Sequence, residues 1–216
     1  MKINKKYLKD AIIFILLSII YTLLVKFVDV KAIGPQGTKV GFSHLNEFFH
    51  NIIGVNMTLY KVTEILGYLA ILLIGIYAII GLYQLFKRKS LLKVDKDIYV
   101  LGALYAVLFA LYIFFEKVII NYRPVLIDNV LEASYPSSHT MLALVIFGSS
   151  ILINNKLFIK RRIARISNTA SIILMCLIVF GRTLSGVHWI TDIMGGIIIS
   201  CTLLYIFKFV LNMDGE

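Results

Sequence analysis

Long apolar runs, rather than alternating or short-period patterns, organise this chain of 216 residues. A helix that crosses a membrane needs about 20 mostly apolar residues. Six stretches approach that length: Ala11–Val28, Ile65–Phe86, Ile98–Phe115, Ser138–Ile153, Ile166–Leu184 and Thr191–Leu211. The fourth is the shortest and suits a helix that starts at a functional loop instead of at the headgroup layer. Between the first two runs lies a longer mixed segment, Asp29–Lys61, where Glu47-Phe48-Phe49 and Ile52-Ile53 predict a short amphipathic helix on the outer leaflet. His44 and His50 in it read as interfacial packing, with a lid over a lipid site as the alternative. Six spans and short connections take up nearly the whole chain. The expected fold is all-α, a polytopic membrane protein with residues 1–216 as one domain.

Composition agrees with the pattern. Apolar residues make up 59% of the chain, against about 45–50% in soluble domains, and mean hydropathy is +0.87. A soluble domain of this size has too much surface to hide so many apolar side chains. Disordered and collagenous readings fall with it, and two cysteines are too few for a disulfide scaffold. Cys176 and Cys201 lie inside spans and read as small apolar residues.

Charge changes the picture more. Lys and Arg number 22 against 12 Asp and Glu, a net +10 that in a soluble protein would suggest nucleic acid. In a membrane protein such a bias reports orientation. Fifteen basic and five acidic residues fall at the two termini, between spans two and three, and between spans four and five. That side carries the whole excess, while the opposite side holds seven of each sign and is neutral. The basic side is expected in the cytoplasm of a cell-membrane protein, with both termini, against anionic lipid. No nucleic-acid partner is expected. The first run can also be read as a signal peptide cleaved after Ala32, but about 18 apolar residues exceed the 7–15 of such segments, so an uncleaved span is expected.

Charged and imidazole groups at span ends are costly to hold near lipid, so their clustering carries information. Three clusters fall on the neutral, outer side. Lys117 to Arg123-Pro124 closes span three, Tyr135-Pro136-Ser137-Ser138-His139-Thr140 opens span four, and Gly181-Arg182 to His188-Trp189 and Asp192 joins spans five and six. Together they form an anion site with acid–base machinery. The guanidinium forks of Arg123 and Arg182 match phosphate oxygens. Pro136 is placed to open span four, whose free N–H groups favour a phosphate. His188 and Asp192 are four apart and share a face if their segment is helical. A carboxylate accepting from one imidazole nitrogen leaves the other a better nucleophile, with His139 as general acid. No carboxylate constellation for Mg²⁺ is present in the sequence pattern, so no metal or cofactor is expected and the arginines stabilise the transferring group.

These clusters resemble the signature of the type 2 phosphatidic acid phosphatase (PAP2) superfamily, membrane relatives of vanadium haloperoxidases. That signature is Lys-x6-Arg-Pro, Pro-Ser-Gly-His and Ser-Arg-x5-His-x3-Asp. Arg123-Pro124, Pro136-Ser137-Ser138-His139 and Arg182, His188 and Asp192 match it in order and spacing. The resemblance implies a haloperoxidase-like helical core and a phosphohistidine mechanism. In it His188 attacks phosphorus, Asp192 orients His188 and His139 protonates the leaving oxygen. Arg123, Arg182, Lys117 and the Ser137–Ser138 backbone hold the phosphate.

Three positions depart from the signature. Glu116 stands seven residues before Arg123, where the family has lysine, and Lys117 stands six before it; Glu116 either pairs with a basic neighbour or sits at the interface. Ser138 replaces a glycine and Gly181 a serine. Trp189 reads as an interfacial anchor, Gly195 and Gly196 as a close-packing site, and Asp128 and Glu132 as solvated. The implied activity is an outward-facing lipid phosphatase acting on an undecaprenyl pyrophosphate, phosphatidic acid, phosphatidylglycerol phosphate or diacylglycerol pyrophosphate class of substrate. Phosphotransfer through the same phosphohistidine is the alternative. A transporter is less favoured because paired broken spans are absent.

Overall fold

The computed structural model describes residues 5–158 and 160–213. Lys2, Asp214 and Glu216, which enter the charge balance of the side expected in the cytoplasm, lie outside the described residues. Seven α-helices are present: α1 (Lys5–Phe27), α2 (Ser43–Ile53), α3 (Met57–Arg88), α4 (Lys96–Lys117), α5 (Ser138–Leu157), α6 (Arg161–Ser185) and α7 (Ile190–Leu211). All but α2 are long and apolar enough to cross a membrane. The six expected spans are therefore all found. α3 and α6 begin earlier than the apolar runs alone suggested, at Met57 and Arg161. The extra turn or more is polar at one end, which hydropathy does not register and helix caps do: the Asn56 side chain accepts from Leu59 N–H, satisfying one of the free donors of α3.

α5 is the axis of the bundle. Over half of its most apolar 18-residue window is enclosed by protein, against 17% in α3 and α6. Met141, Ala143, Val145, Ile146 and Phe147 of α5 pack with Leu101, Leu104 and Leu108 of α4, Ile178 of α6 and Ile199, Leu203 and Phe207 of α7. The outer faces of the other helices stay apolar and exposed, as Leu16, Leu72, Ile79, Ile113 and Ile173 show. In water that would be an aggregation hazard, and in lipid it is the expected surface.

The helices run alternately up and down, so their ends gather in two sets. One end holds the turn from α3 to α4, tied by Arg88 and Gln84 to Asp95, and the basic α5–α6 connection. The other end holds α2, the α4–α5 loop and the α6–α7 turn, and with them all three clusters. α2 occupies the stretch where the short amphipathic helix was expected. It is anchored rather than loosely laid down: Asn46 bonds Gly41 O and Thr191 Oγ1 and accepts from Thr191 N–H.

Candidate active site

The α4–α5 loop has no long strand, yet it is closely organised. Tyr122 pairs with Ala133 and Ile127 with Val130 in short antiparallel contacts. Arg123 N–H donates to Glu132 O and Ser134 N–H to Asn121 O. This folds the loop back on itself, so Asn121 and Ser134 meet at Asp192 in the first turn of α7. Tyr135 is buried against Gly195, where any side chain would collide with its ring, and Thr140 lies against Gly196. The two glycines of the close-packing site thus admit the loop and the start of α5.

Arg182 projects from the last turn of α6 and is completely buried. None of its three guanidinium nitrogens has a hydrogen-bond partner. Its guanidinium carbon lies 4.6 Å from the centroid of the Tyr60 ring, and that of Arg123 lies 5.8 Å from the same ring. The face of one α3 tyrosine thus gathers both guanidiniums and partly balances their charge. Arg123 also has Glu132 Oε2 3.0 Å from Nε, an ion pair whose geometry falls short of an aligned hydrogen bond. Glu132 is therefore not simply solvated.

His139 and His188 lie close enough to both guanidiniums to feel their charge, and His188 Nε2, His139 Nδ1, Ser137 Oγ and Thr140 Oγ1 are further buried polar atoms without partners. Buried polar groups are normally satisfied within the protein, and unpartnered polar atoms accompanied by two buried guanidiniums mark a candidate site for an anion. Burial, then Arg123, Arg182 and His139, hold the pKa of His188 well below the usual imidazole range. The ring is accordingly neutral and its lone pair available.

Several expectations are corrected. Pro136 does not open α5; Ser137 is the N-cap and Ser138 the first helical residue. The Ser137 N–H is engaged by Asp192 O at 3.0 Å, because the start of α5 docks on the first turn of α7. What Ser137 presents is its hydroxyl. His188 and Asp192 do not share a helical face, since α7 starts at Ile190 with Trp189 as N-cap. Trp189 is buried, with Nε1 donating to Tyr122 O, and is no interfacial anchor. Lys117 is exposed at the end of α4 and makes no hydrogen bond or ion pair among the described residues. Glu116 instead lines a small cleft with Ser134, Ser138 and His188; the one-residue offset turns the lysine away by about 100°.

Sequence reasoning missed four residues. Ser134 and Asn121 sit inside or beside the quoted clusters, but nothing in their spacing marks them. Tyr60 is remote in sequence, and Glu132 looked like an ordinary loop acid. Among the described residues no group of three or more His, Cys, Asp or Glu side chains is disposed to hold a metal ion.

A family model described as the PAP2 superfamily matches residues 100–214, a stretch that holds all three clusters. No curated protein matches the chain by sequence. The fold is similar to the crystal structure of a transmembrane PAP2-type phosphatidylglycerolphosphate phosphatase from Bacillus subtilis. The TM-score is 0.65 at 19% identity, with 95% of this chain and 98% of that one covered. At that identity the likeness speaks for the helical architecture.

Proposed function

The chain belongs to the PAP2 superfamily and is a phosphatase of PAP2 type, and on that premise we propose that it removes phosphate from a lipid phosphate monoester or diphosphate through a phosphohistidine at His188. The observation that carries this reading is the completely buried, unpartnered guanidinium of Arg182 beside the bare Nε2 of His188. An anion with several oxygens would satisfy both arginines, Ser137 Oγ and the Ser138 N–H at the start of α5, and would bring its phosphorus to the nucleophile.

Nε2 of His188 attacks phosphorus, the bond to the leaving oxygen breaks, and that oxygen takes a proton from His139. Water then attacks the phosphohistidine, giving its proton to His139 as the nitrogen–phosphorus bond breaks. Charge on the transferring group is met by Arg123 and Arg182 without a metal. A cavity of about 280 Å³ leads from Ser138 and His139 between α3, α4 and α5, lined by Tyr68, Ile71, Leu108, Phe109 and Leu142. Its apolar walls support a substrate whose tail stays in lipid while its phosphate reaches the site. The charge asymmetry between the two ends supports an outward-facing site with cytoplasmic termini. An outer position favours recycling of a polyprenyl diphosphate carrier, with phosphatidic acid and phosphatidylglycerol phosphate as the other substrate classes.

The test is phosphate release by purified protein in detergent with EDTA, from phosphatidic acid, phosphatidylglycerol phosphate and a polyprenyl diphosphate. Vanadate-sensitive release in EDTA, abolished in a folded His188→Ala variant, is expected. Near-normal turnover by His188→Ala overturns the assignment. Appearance of the phosphate on a second lipid instead of in solution identifies phosphotransfer.

A further inference from the structure

The carboxylate expected to orient the nucleophile does not touch it. Oδ1 of Asp192 accepts from Asn121 Nδ2 at 3.1 Å, and Oδ2 accepts from Trp189 N–H at 3.1 Å and from Ser134 Oγ at 2.6 Å. The contact to His188 is made by the serine, whose Oγ lies 2.9 Å from Nδ1. Ser134, His188 and Asp192 are all buried, at 2%, 5% and 0% exposure, so no bulk water substitutes for this link.

Proton accounting gives the link a direction. Asp192 is ringed by three donors and accepts from each, as an ionised carboxylate does. A hydroxyl has a single proton, and Ser134 commits it to Asp192. Its oxygen can then only accept from His188, which places the imidazole proton on Nδ1 and leaves Nε2 with its lone pair. Nε2 is the ring nitrogen without a partner. Ser134 is itself held by its N–H to Asn121 O and by the burial of Tyr135 beside it.

We propose that Ser134 is the positioning residue of His188: it fixes the tautomer that attacks phosphorus and transmits the Asp192 carboxylate to the ring, so that Asp192 acts on the histidine only through this hydroxyl. The proposal rests on the phosphohistidine reading. During attack Nδ1 keeps its proton while the ring gains positive charge. That charge is stabilised by a serine oxygen already polarised by a carboxylate.

The experiment compares full-length wild type with Ser134→Ala, Ser134→Thr and Ser134→Val in detergent, using phosphatidic acid as the probe. Hydrogen-bond partners that orient a metal-ligating histidine cost about 10–100-fold when removed, and the same order is taken for the orientation of His188. We expect kcat of Ser134→Ala to fall by about that factor, with KM within about threefold because both arginines are untouched. The acid limb of kcat/KM moves to lower pH, since losing an acceptor at Nδ1 disfavours the charged ring. A residue that only holds the loop would not move it.

Thr and Val differ by the hydroxyl in nearly the same shape, so Ser134→Thr recovers most of kcat and Ser134→Val does not, which keeps the test decisive if the alanine variant fails to fold. Asp192→Asn and Ser134→Ala combined cost less in kcat than the product of their separate losses. Equal kcat for Thr and Val, an unmoved acid limb, or fully multiplicative losses in the double variant overturns the relay. If His188→Ala is inactive while Ser134→Ala matches wild type, the relay alone fails. If His188→Ala stays active, the phosphohistidine reading fails with it.

Discussion

Arg182→Met separates what the site does from what it costs. Taking a guanidinium out of water carries a penalty of several kcal/mol even after relaxation. In this protein it is returned in part by the Tyr60 ring at 4.6 Å, for which about 2 kcal/mol is a fair value when desolvated. No hydrogen bond offsets the rest. Methionine keeps much of the volume and removes the charge, so the free protein should gain about 1–3 kcal/mol. For a domain of this length each kcal/mol moves the melting temperature by about 2–4 °C. The variant should therefore melt about 2–12 °C above wild type in the same detergent.

Turnover should move the other way. Removing a charge-assisted donor aimed at the transferring group costs about 10²–10³-fold in rate. Vanadate, which mimics the phosphate in flight, should raise the melting temperature of wild type through ligand linkage and leave the variant nearly unmoved. Thermal unfolding with and without vanadate, beside phosphate release, reads all three effects. An Arg182→Met protein that melts below wild type, or keeps both its vanadate shift and its turnover, refutes the reasoning.

Two further predictions follow from the same geometry. His188 should stay neutral through the ordinary histidine range, because burial and then the charges of Arg123 and Arg182 disfavour its protonated form; an NMR titration of the labelled ring with a midpoint at or above about 6.5 contradicts this. The matching contribution to stability is fully present above about pH 6.5, where the unfolded histidine is also neutral, and is lost as pH falls from there toward the folded value. Glu132→Gln frees Arg123 from its half-exposed carboxylate partner. It should lower KM for phosphatidic acid about two- to fivefold at low salt, with the gain fading as salt rises; a raised KM rules out competition between Glu132 and phosphate.

The spans were legible because a run of apolar residues has few ways to be anything but a membrane helix. Arg123, His139, Arg182 and His188 were legible because charge at a span end is costly and patterned. What could not be read were contacts made by the backbone route between spans. Ser134 and Asn121 meet only because the α4–α5 loop doubles back, and no periodicity encodes that. Trp189 misled for a related reason: a tryptophan beside a membrane usually marks the interface, but here its N–H needs the Tyr122 carbonyl and its backbone caps α7. The four-residue spacing of His188 and Asp192 suggested one helical face, whereas the cap falls between them and the carboxylate turns back onto its own helix start.

That turn of Asp192 couples the fold to the chemistry. The proposed phosphate-binding groups and general acid come from one set of elements: Arg182 from α6, Arg123 from the α4–α5 loop, Ser137 and His139 from the start of α5. The proposed nucleophile comes from another, the turn between α6 and α7. Their relative position must hold to a fraction of an ångström for attack to be productive, yet no direct bond between His188 and any of those groups fixes it. The Asp192 residue does so instead. Its carboxylate caps α7 through Trp189 N–H and takes Asn121 and Ser134 from the loop, while its carbonyl takes the Ser137 N–H from α5. The same residue therefore ends one helix, seats the loop that carries Arg123 and, through Ser134, aims His188. A change at position 192 should accordingly disturb stability and turnover together, whereas a change at Ser134 that preserves shape should separate them.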